Sequence, residues 1–220
     1  MNILGIDTST NNCSVGVVAD GKIIARKAEL GRSIASERLI DLIKEMLQTA
    51  VSMESIDAIA VSIGPGSYTG LRIGLSTAKG LAYPEKLPLL PVPTIAVLEH
   101  IAHRTLDSDL VVLIKSHRDL AYHTLCQKEK SPDIDSFNVG YDTFADIHRQ
   151  YGDRYPYISP SEIRSDFITI DQTLYPEGDI VALLAYHNYQ RLIFRSSPEL
   201  EPLYLSEFEV KKWKDRSISG

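Results

Sequence analysis

Asp7 closes a short apolar run over 2–7 and is followed at once by Thr8, Ser9 and Thr10, with Ser14 shortly after. A carboxylate among hydroxyls is the oxygen-rich donor set that a magnesium ion and a phosphate require. The same residues also suit a polar turn, because an Asp side chain hydrogen-bonds its own backbone two residues on. A second candidate is the stretch Gly64-Pro-Gly-Ser-Tyr-Thr-Gly70, a glycine turn ahead of a helix, where free N–H groups can meet an anion. It matches neither G-x-x-x-x-G-K-[ST] nor G-x-G-x-x-G, which excludes phosphate loops of those kinds. His100 and His103 fall on one helical face, but no H-E-x-x-H accompanies them, so they read better as core-edge side chains than as metal ligands. The remaining histidines, His117, His123, His148 and His187, are scattered, and no G-x-S-x-G marks a serine nucleophile. Lys211, Lys212, Lys214 and Arg216 around Trp213 could meet RNA by charge and stacking; they suit a solvated helix end equally well.

These residues need elements to position them. Residues 2–7 and 13–19 read as strands, and Asp20-Gly21 is a strong two-residue hairpin signal leading into a third strand over 22–29. A helix is expected over 36–50 with Ser36 as its N-cap. Its apolar stripe of Leu39, Ile43, Met46, Leu47 and Ala50 is widened by Ile40 and Leu42 beyond what a single core contact needs, which implies a second packing partner. Ile59-Ala-Val-Ser-Ile63 suits a strand buried on both faces. After Ser67, an N-cap, comes a helix on which Gly70, Gly74 and Ala78 recur at i, i+4, i+8. Glycine inside a helix costs roughly 0.5–1 kcal/mol against alanine, so this bare stripe implies that something comes very close: an internal neighbour, a partner helix or a ligand. A short strand over 87–92 and a helix over 94–104 capped by Thr94 complete the first half. A boundary falls near 105–109, followed by an apolar run over 110–114 that can form a hairpin with 121–126. Prolines break up 137–176, and a helix is expected over 179–194. No internal repeat is evident.

Lys+Arg 23 against Asp+Glu 29 leaves a net charge of −6, which argues against unaided binding of nucleic acid. Cys13 and Cys126 stand far apart with no metal spacing, as in a reduced cytosolic protein. No apolar run is long enough to span a bilayer and Met1 leads straight into a strand, so a soluble cytoplasmic protein without membrane contact is expected.

The stretch from Ile56 to Ala82, which contains Ile59-Ala-Val-Ser-Ile-Gly-Pro-Gly-Ser-Tyr-Thr-Gly-Leu-Arg-Ile-Gly74, closely resembles the signature of the TsaB (YeaZ) family. Ile3-Leu-Gly-Ile-Asp-Thr-Ser-Thr10 with Cys13-Ser14 resembles that family's N-terminus, and Ser36-Glu-Arg-Leu39 its first helix. The resemblance implies an α/β, actin/Hsp70-like (ASKHA) ATPase-type fold with two lobes of mixed sheet and flanking helices, residues 1–104 forming the first and 105–220 a smaller second lobe. It implies a non-catalytic subunit in the synthesis of threonylcarbamoyladenosine beside the anticodon of tRNAs reading codons that begin with adenine. Its paralogue TsaD would carry the metal and the transfer, a TsaE-like ATPase would join the pair, and tRNA would be met through the complex. Two helices would then form the partner surface for TsaD or, alone, for a second copy, through Ser36, Leu39, Ile40, Ile43, Leu47, Gly70, Leu71, Gly74, Leu75 and Ala78. Asp7, Thr8, Ser9, Ser14, Gly64 and Gly66 would line a vestigial nucleotide cleft, with ATP or ADP and magnesium as the cofactors to consider at or near the complex interface. The H-x-x-x-H motif of TsaD is absent, in keeping with a non-catalytic subunit. An independent kinase or ATPase of the same fold, using Asp7 for magnesium, is the alternative. The chain departs from the family pattern at Ala35, at Asp41 and at Lys115-Ser-His-Arg118, where histidine, proline and Asp-Ala-Arg are usual.

Overall fold

The computed structural model describes residues 1–130, 132, 134 and 139–203; the basic residues Lys211 to Arg216 lie outside them. β1 (Asn2–Asp7), β2 (Asn12–Ala19) and β3 (Lys22–Leu30) form an antiparallel meander, and Asp20 and Gly21 make its second turn with φ of 46° and 78°. α1 (Ile34–Thr49), β4 (Ala58–Gly64), α2 (Tyr68–Glu85) and β5 (Leu89–Pro93) follow, and α3 (Thr94–Ala102) leaves the sheet. The strand order is β3-β2-β1-β4-β5, with β1, β4 and β5 parallel. Two observed helix starts differ from the sequence reading. α1 begins two residues early, capped at Ser33, so Ser36 sits inside it and bonds the Ser33 carbonyl at 2.7 Å; α3 is preceded by Pro93, so Thr94 is its first residue. Ser67 does cap α2, its Oγ accepting from the Gly70 N–H at 3.2 Å.

The second sheet contains β6 (Leu110–Lys115), β7 (Leu120–Cys126), β8 (Gly140–Thr143), β9 (Tyr157–Ser159) and β10 (Gln172–Thr173), with α4 (Phe144–Tyr151) between β8 and β9. Its order, β8-β7-β6-β9-β10, and its strand directions repeat those of the first sheet, with β6 standing where β1 stands. The repeat lies in topology alone. Together the two sheets and their helices make the α/β, actin/Hsp70-like architecture of two mixed-sheet lobes.

α5 (Gly178–His187) and α6 (Tyr189–Leu192) correct the expected division of the chain and the expected single helix over 179–194, which breaks at Asn188. α5 does not complete the second lobe. Ile180, Val181, Ala182, Leu184 and Ala185 pack with Ile3, Ala58, Ala60 and Leu90 on the first sheet. The seating is possible because Gly5 and Gly16 are register partners on β1 and β2. A Cβ on either would come closer than 3.0 Å to the backbone of the first turns of α5, so only glycine lets the helix lie this near. α1 and α2 cover the opposite face, over Leu4, Ile6, Val15, Val17, Ile59 and Val61. α3 stands between the lobes: Ala96 and Val97 enter the first core, Ile95, Leu98 and Ala102 that of β6, β7 and β9. Among the described residues no helix is long and apolar enough to cross a membrane.

Candidate functional site

The β1–β2 turn brings the predicted cleft residues together, but each is engaged by the chain's own groups. Asp7 is fully buried. Its carboxylate accepts from the Ser9 N–H at 3.1 Å and from Ser9 Oγ at 3.0 Å. Burial pushes its pKa up to about 6, against the opposing hydrogen bonds of Ser62 and Ser9. Thr8 Oγ1 donates to the Gly70 carbonyl at 2.7 Å. The Ser67 N–H donates to the Ser9 carbonyl at 2.7 Å, and a Cβ on Gly66 would come closer than 3.0 Å to that oxygen. Gly64, with φ of 112°, bends the strand end where a side chain would be strained.

Ser14 faces the other way. Its Oγ accepts from the Gly178 N–H at 3.0 Å and donates to the Lys27 carbonyl at 3.4 Å. The hydroxyl thus satisfies an otherwise orphaned donor at the start of α5. Asn12 Nδ2 secures the chain one turn earlier, on the Pro176 carbonyl at 2.8 Å. Ser14→Ala is expected to lower stability by about 1–2 kcal/mol, because a buried N–H loses its acceptor; chemical denaturation would read this as a lower midpoint with an unchanged slope.

Magnesium and a nucleotide phosphate do not fit this arrangement. Magnesium is held through ionised carboxylate oxygens while keeping several waters. Asp7 is sealed from solvent, which leaves no room for those waters, and Thr8, Ser9 and Ser14 already bond the polypeptide. The predicted vestigial cleft is therefore a joint: the β1–β2 turn tied to α2 on one side and to α5 on the other.

The partner surface changes in the same way. Of its predicted members, Leu39, Ile43, Leu71, Leu75 and Ala78 are core residues, and Gly70 and Gly74 are buried against Thr8. The small-residue stripe does admit a close neighbour, and that neighbour is the β1–β2 turn. The outward faces of α1 and α2 instead carry Ser36, Ile40 (48 % exposed) and half-buried Leu47, with half-buried Ile73 and Thr77 and the open Gly80. The excess width of the α1 stripe remains visible in Ile40, whereas Leu42 belongs to the core.

The other candidates are structural. His123 is buried between Asp142 Oδ2 at 2.9 Å and the Tyr151 hydroxyl at 3.2 Å. His103 stands 3.9 Å from Glu99, and burial lowers the pKa of His100. Among the described residues no group of three His, Cys, Asp or Glu could hold a metal ion. Cys13 and Cys126 are buried free thiols, burial lifting Cys13 to about 12. The sequence reading missed Gly5, Gly16 and Gly178. A glycine inside each of two strands that pair across a turn was the available signal for a helix lying close to the sheet.

Two mixed sheets of the same order and strand directions, with flanking helices, give this chain the actin/Hsp70-like architecture, and here the β1–β2 turn is closed inward. A family profile described as "TsaD: tRNA N6-adenosine threonylcarbamoyltransferase" matches residues 32–159. The TsaB protein of Escherichia coli K12, named for tRNA threonylcarbamoyladenosine biosynthesis, is 39% identical over 105 residues, covering 47% of this chain and 45% of its own. The TsaB of Haemophilus influenzae is 30% identical over 132 residues, with 59% and 56% covered. The crystal structure of YeaZ from Pseudomonas aeruginosa superposes with a TM-score of 0.75 at 24% identity, over 93% of this chain and 99% of that one. The chain belongs to the threonylcarbamoyltransferase family, within its TsaB (YeaZ) group. It spans about half the length of the curated relatives it matches.

Proposed function

We propose that this chain is a non-catalytic subunit that pairs with a TsaD-like transferase and supports the formation of threonylcarbamoyladenosine next to the tRNA anticodon. The observation that carries the reading is the closed β1–β2 turn, in which the carboxylate and hydroxyls of a would-be reaction centre serve as internal ties. Family membership supplies the reaction, and the sealed Asp7 weighs against the independent kinase or ATPase. On this reading the outward faces of α1 and α2 receive the transferase, or a second copy when the chain is alone. A TsaE-like ATPase and tRNA join through the complex, in the cytoplasm.

The test is a reconstituted modification reaction with the cognate TsaD-like protein, alongside light scattering of the mixture. Wild type is expected to form a stable complex and to raise the yield of modified tRNA. Ile40→Asp is expected to keep its fold, since surface changes are usually within about 0.5 kcal/mol, and to weaken pairing at least ~10-fold, a buried unpaired charge at an interface costing roughly 2 kcal/mol or more. Unchanged pairing by Ile40→Asp would remove α1 and α2 as the contact. A wild-type chain that leaves the modification yield unaltered would overturn the subunit reading.

A further inference from the structure

The sheet repeat gives the β1–β2 turn a counterpart in the β6–β7 turn, which the chain treats in the opposite way. Lys115, His117 and Arg118 are exposed there, and among the described residues neither Lys115 nor Arg118 enters an ion pair. Elsewhere Arg26 pairs with Glu177, Lys27 with Glu45, and Arg38 with Glu29 and Asp41, while Arg32 and Lys44 beside α1 are exposed and, among the described residues, enter no ion pair. The turn is also firmly held. The Ser116 N–H donates to the Leu120 carbonyl at 2.9 Å and the Leu120 N–H to the His117 carbonyl at 3.1 Å. Arg118 is fixed at φ 56°, a left-handed conformation that costs energy for a residue other than glycine and persists where its surroundings enforce it. Hydroxyl and imidazole groups accompany the cations. Ser116 Oγ is 3.3 Å from the Tyr141 hydroxyl, which is 3.4 Å from His117 Nδ1. Asp119 is the one carboxylate of the turn, and neighbouring Asp142 is taken by His123.

Two unpaired cations with hydroxyl and imidazole groups on one rigid, exposed ridge form the mixture of donors that proteins set against phosphodiester oxygens. We propose that the β6–β7 turn, through Lys115 and Arg118 with Ser116, His117 and Tyr141 in support, contacts the phosphate backbone of RNA. This inference rests on the subunit reading above and names a surface through which the subunit itself would touch the modified tRNA. An exposed ridge suits a backbone passing over it, and the chain's overall −6 confines such contact to this local patch and to RNA already brought near by the complex.

The experiment is fluorescence anisotropy of end-labelled tRNA with the purified complex of full-length chain and cognate TsaD-like protein, across a range of salt. It compares wild type, Lys115→Ala/Arg118→Ala, and the charge-matched control Lys22→Ala/Lys130→Ala, whose residues are also exposed. The turn variant is expected to bind tRNA roughly tenfold more weakly and to lose about two from the slope of log affinity against log salt, close to one for each phosphate contact removed. The control should match wild type. An unchanged affinity and slope in the turn variant would overturn the inference and leave the subunit reading standing. Loss of the protein complex itself in the turn variant, read by light scattering of the same samples, would overturn it in favour of an acidic protein surface. A wild-type complex that binds no tRNA would overturn both readings.

Discussion

Asp7→Asn is expected to melt higher than wild type at pH 7, by roughly 3 kcal/mol of added stability or about 6–12 °C for a chain of this size. Burial raises the folded pKa of Asp7 to about 6 from 3.8. Between those two values the folded state holds a proton that the unfolded chain has released. Stability therefore falls as pH rises from about 4 to about 6, and above that the wild type keeps a buried charge with no cationic partner among the described residues. Asparagine keeps the acceptor that Ser9 uses, offers its amide hydrogens to the nearby Ser62 hydroxyl, and has no charge to bury. The advantage should shrink as the pH is lowered and disappear below about pH 4, where wild-type Asp7 is protonated in both states. Thermal melts at pH 4, 5.5 and 7 would measure it, and equal melting differences at all three would refute a desolvated carboxylate. The same variant should support tRNA modification at the wild-type level in the reconstituted reaction. A magnesium-binding Asp7 would instead lose turnover.

Gly70→Ala carries the opposite sign. Its added methyl would come closer than 3.0 Å to the Thr8 carbonyl oxygen, and backbone cannot swing aside as a flexible side chain can. Overpacking against a fixed wall of this kind costs about 3 kcal/mol, the upper end of its usual range, or roughly 6–12 °C in Tm for a chain of this length. Gly80→Ala, on the same helix, meets nothing within 4 Å and should gain up to about 1 kcal/mol from helix propensity alone. Measuring the pair separates the two meanings of a helical glycine. If both variants shifted stability alike, the tight seam between α2 and the β1–β2 turn would be disproved.

Much of the first lobe was legible because its signals are local. The Asp20-Gly21 turn, the doubly buried run of β4 and the Ser67 cap each depend on a few neighbouring residues. The Gly70/Gly74/Ala78 stripe announced a close approach correctly, but a one-dimensional pattern carries no address for what approaches. A turn more than sixty positions earlier takes the place expected for a partner helix. The return of α5 to the first sheet was unreadable for the same reason. Its apolar residues specify burial without naming the surface, and only the glycine pair on β1 and β2 marks where it lands. In the second lobe, β9 and β10 are three and two residues long, too short to show alternation. The repeat of the sheet escaped notice because connectivity, rather than side chains, is what the two lobes share.

Seating α5 on Gly5 and Gly16 has a consequence for how the protein comes off the ribosome. The opening strands are made first, yet one face of their sheet lacks α5 until the whole second lobe has been translated and 178–187 emerges. At ordinary elongation speeds that interval is on the order of ten seconds. For that time Ile3, Ala58, Ala60 and Leu90 have only α3, through Ala96 and Val97, to cover them, which is the stage at which this chain would most need a chaperone or a slow, shielded exit.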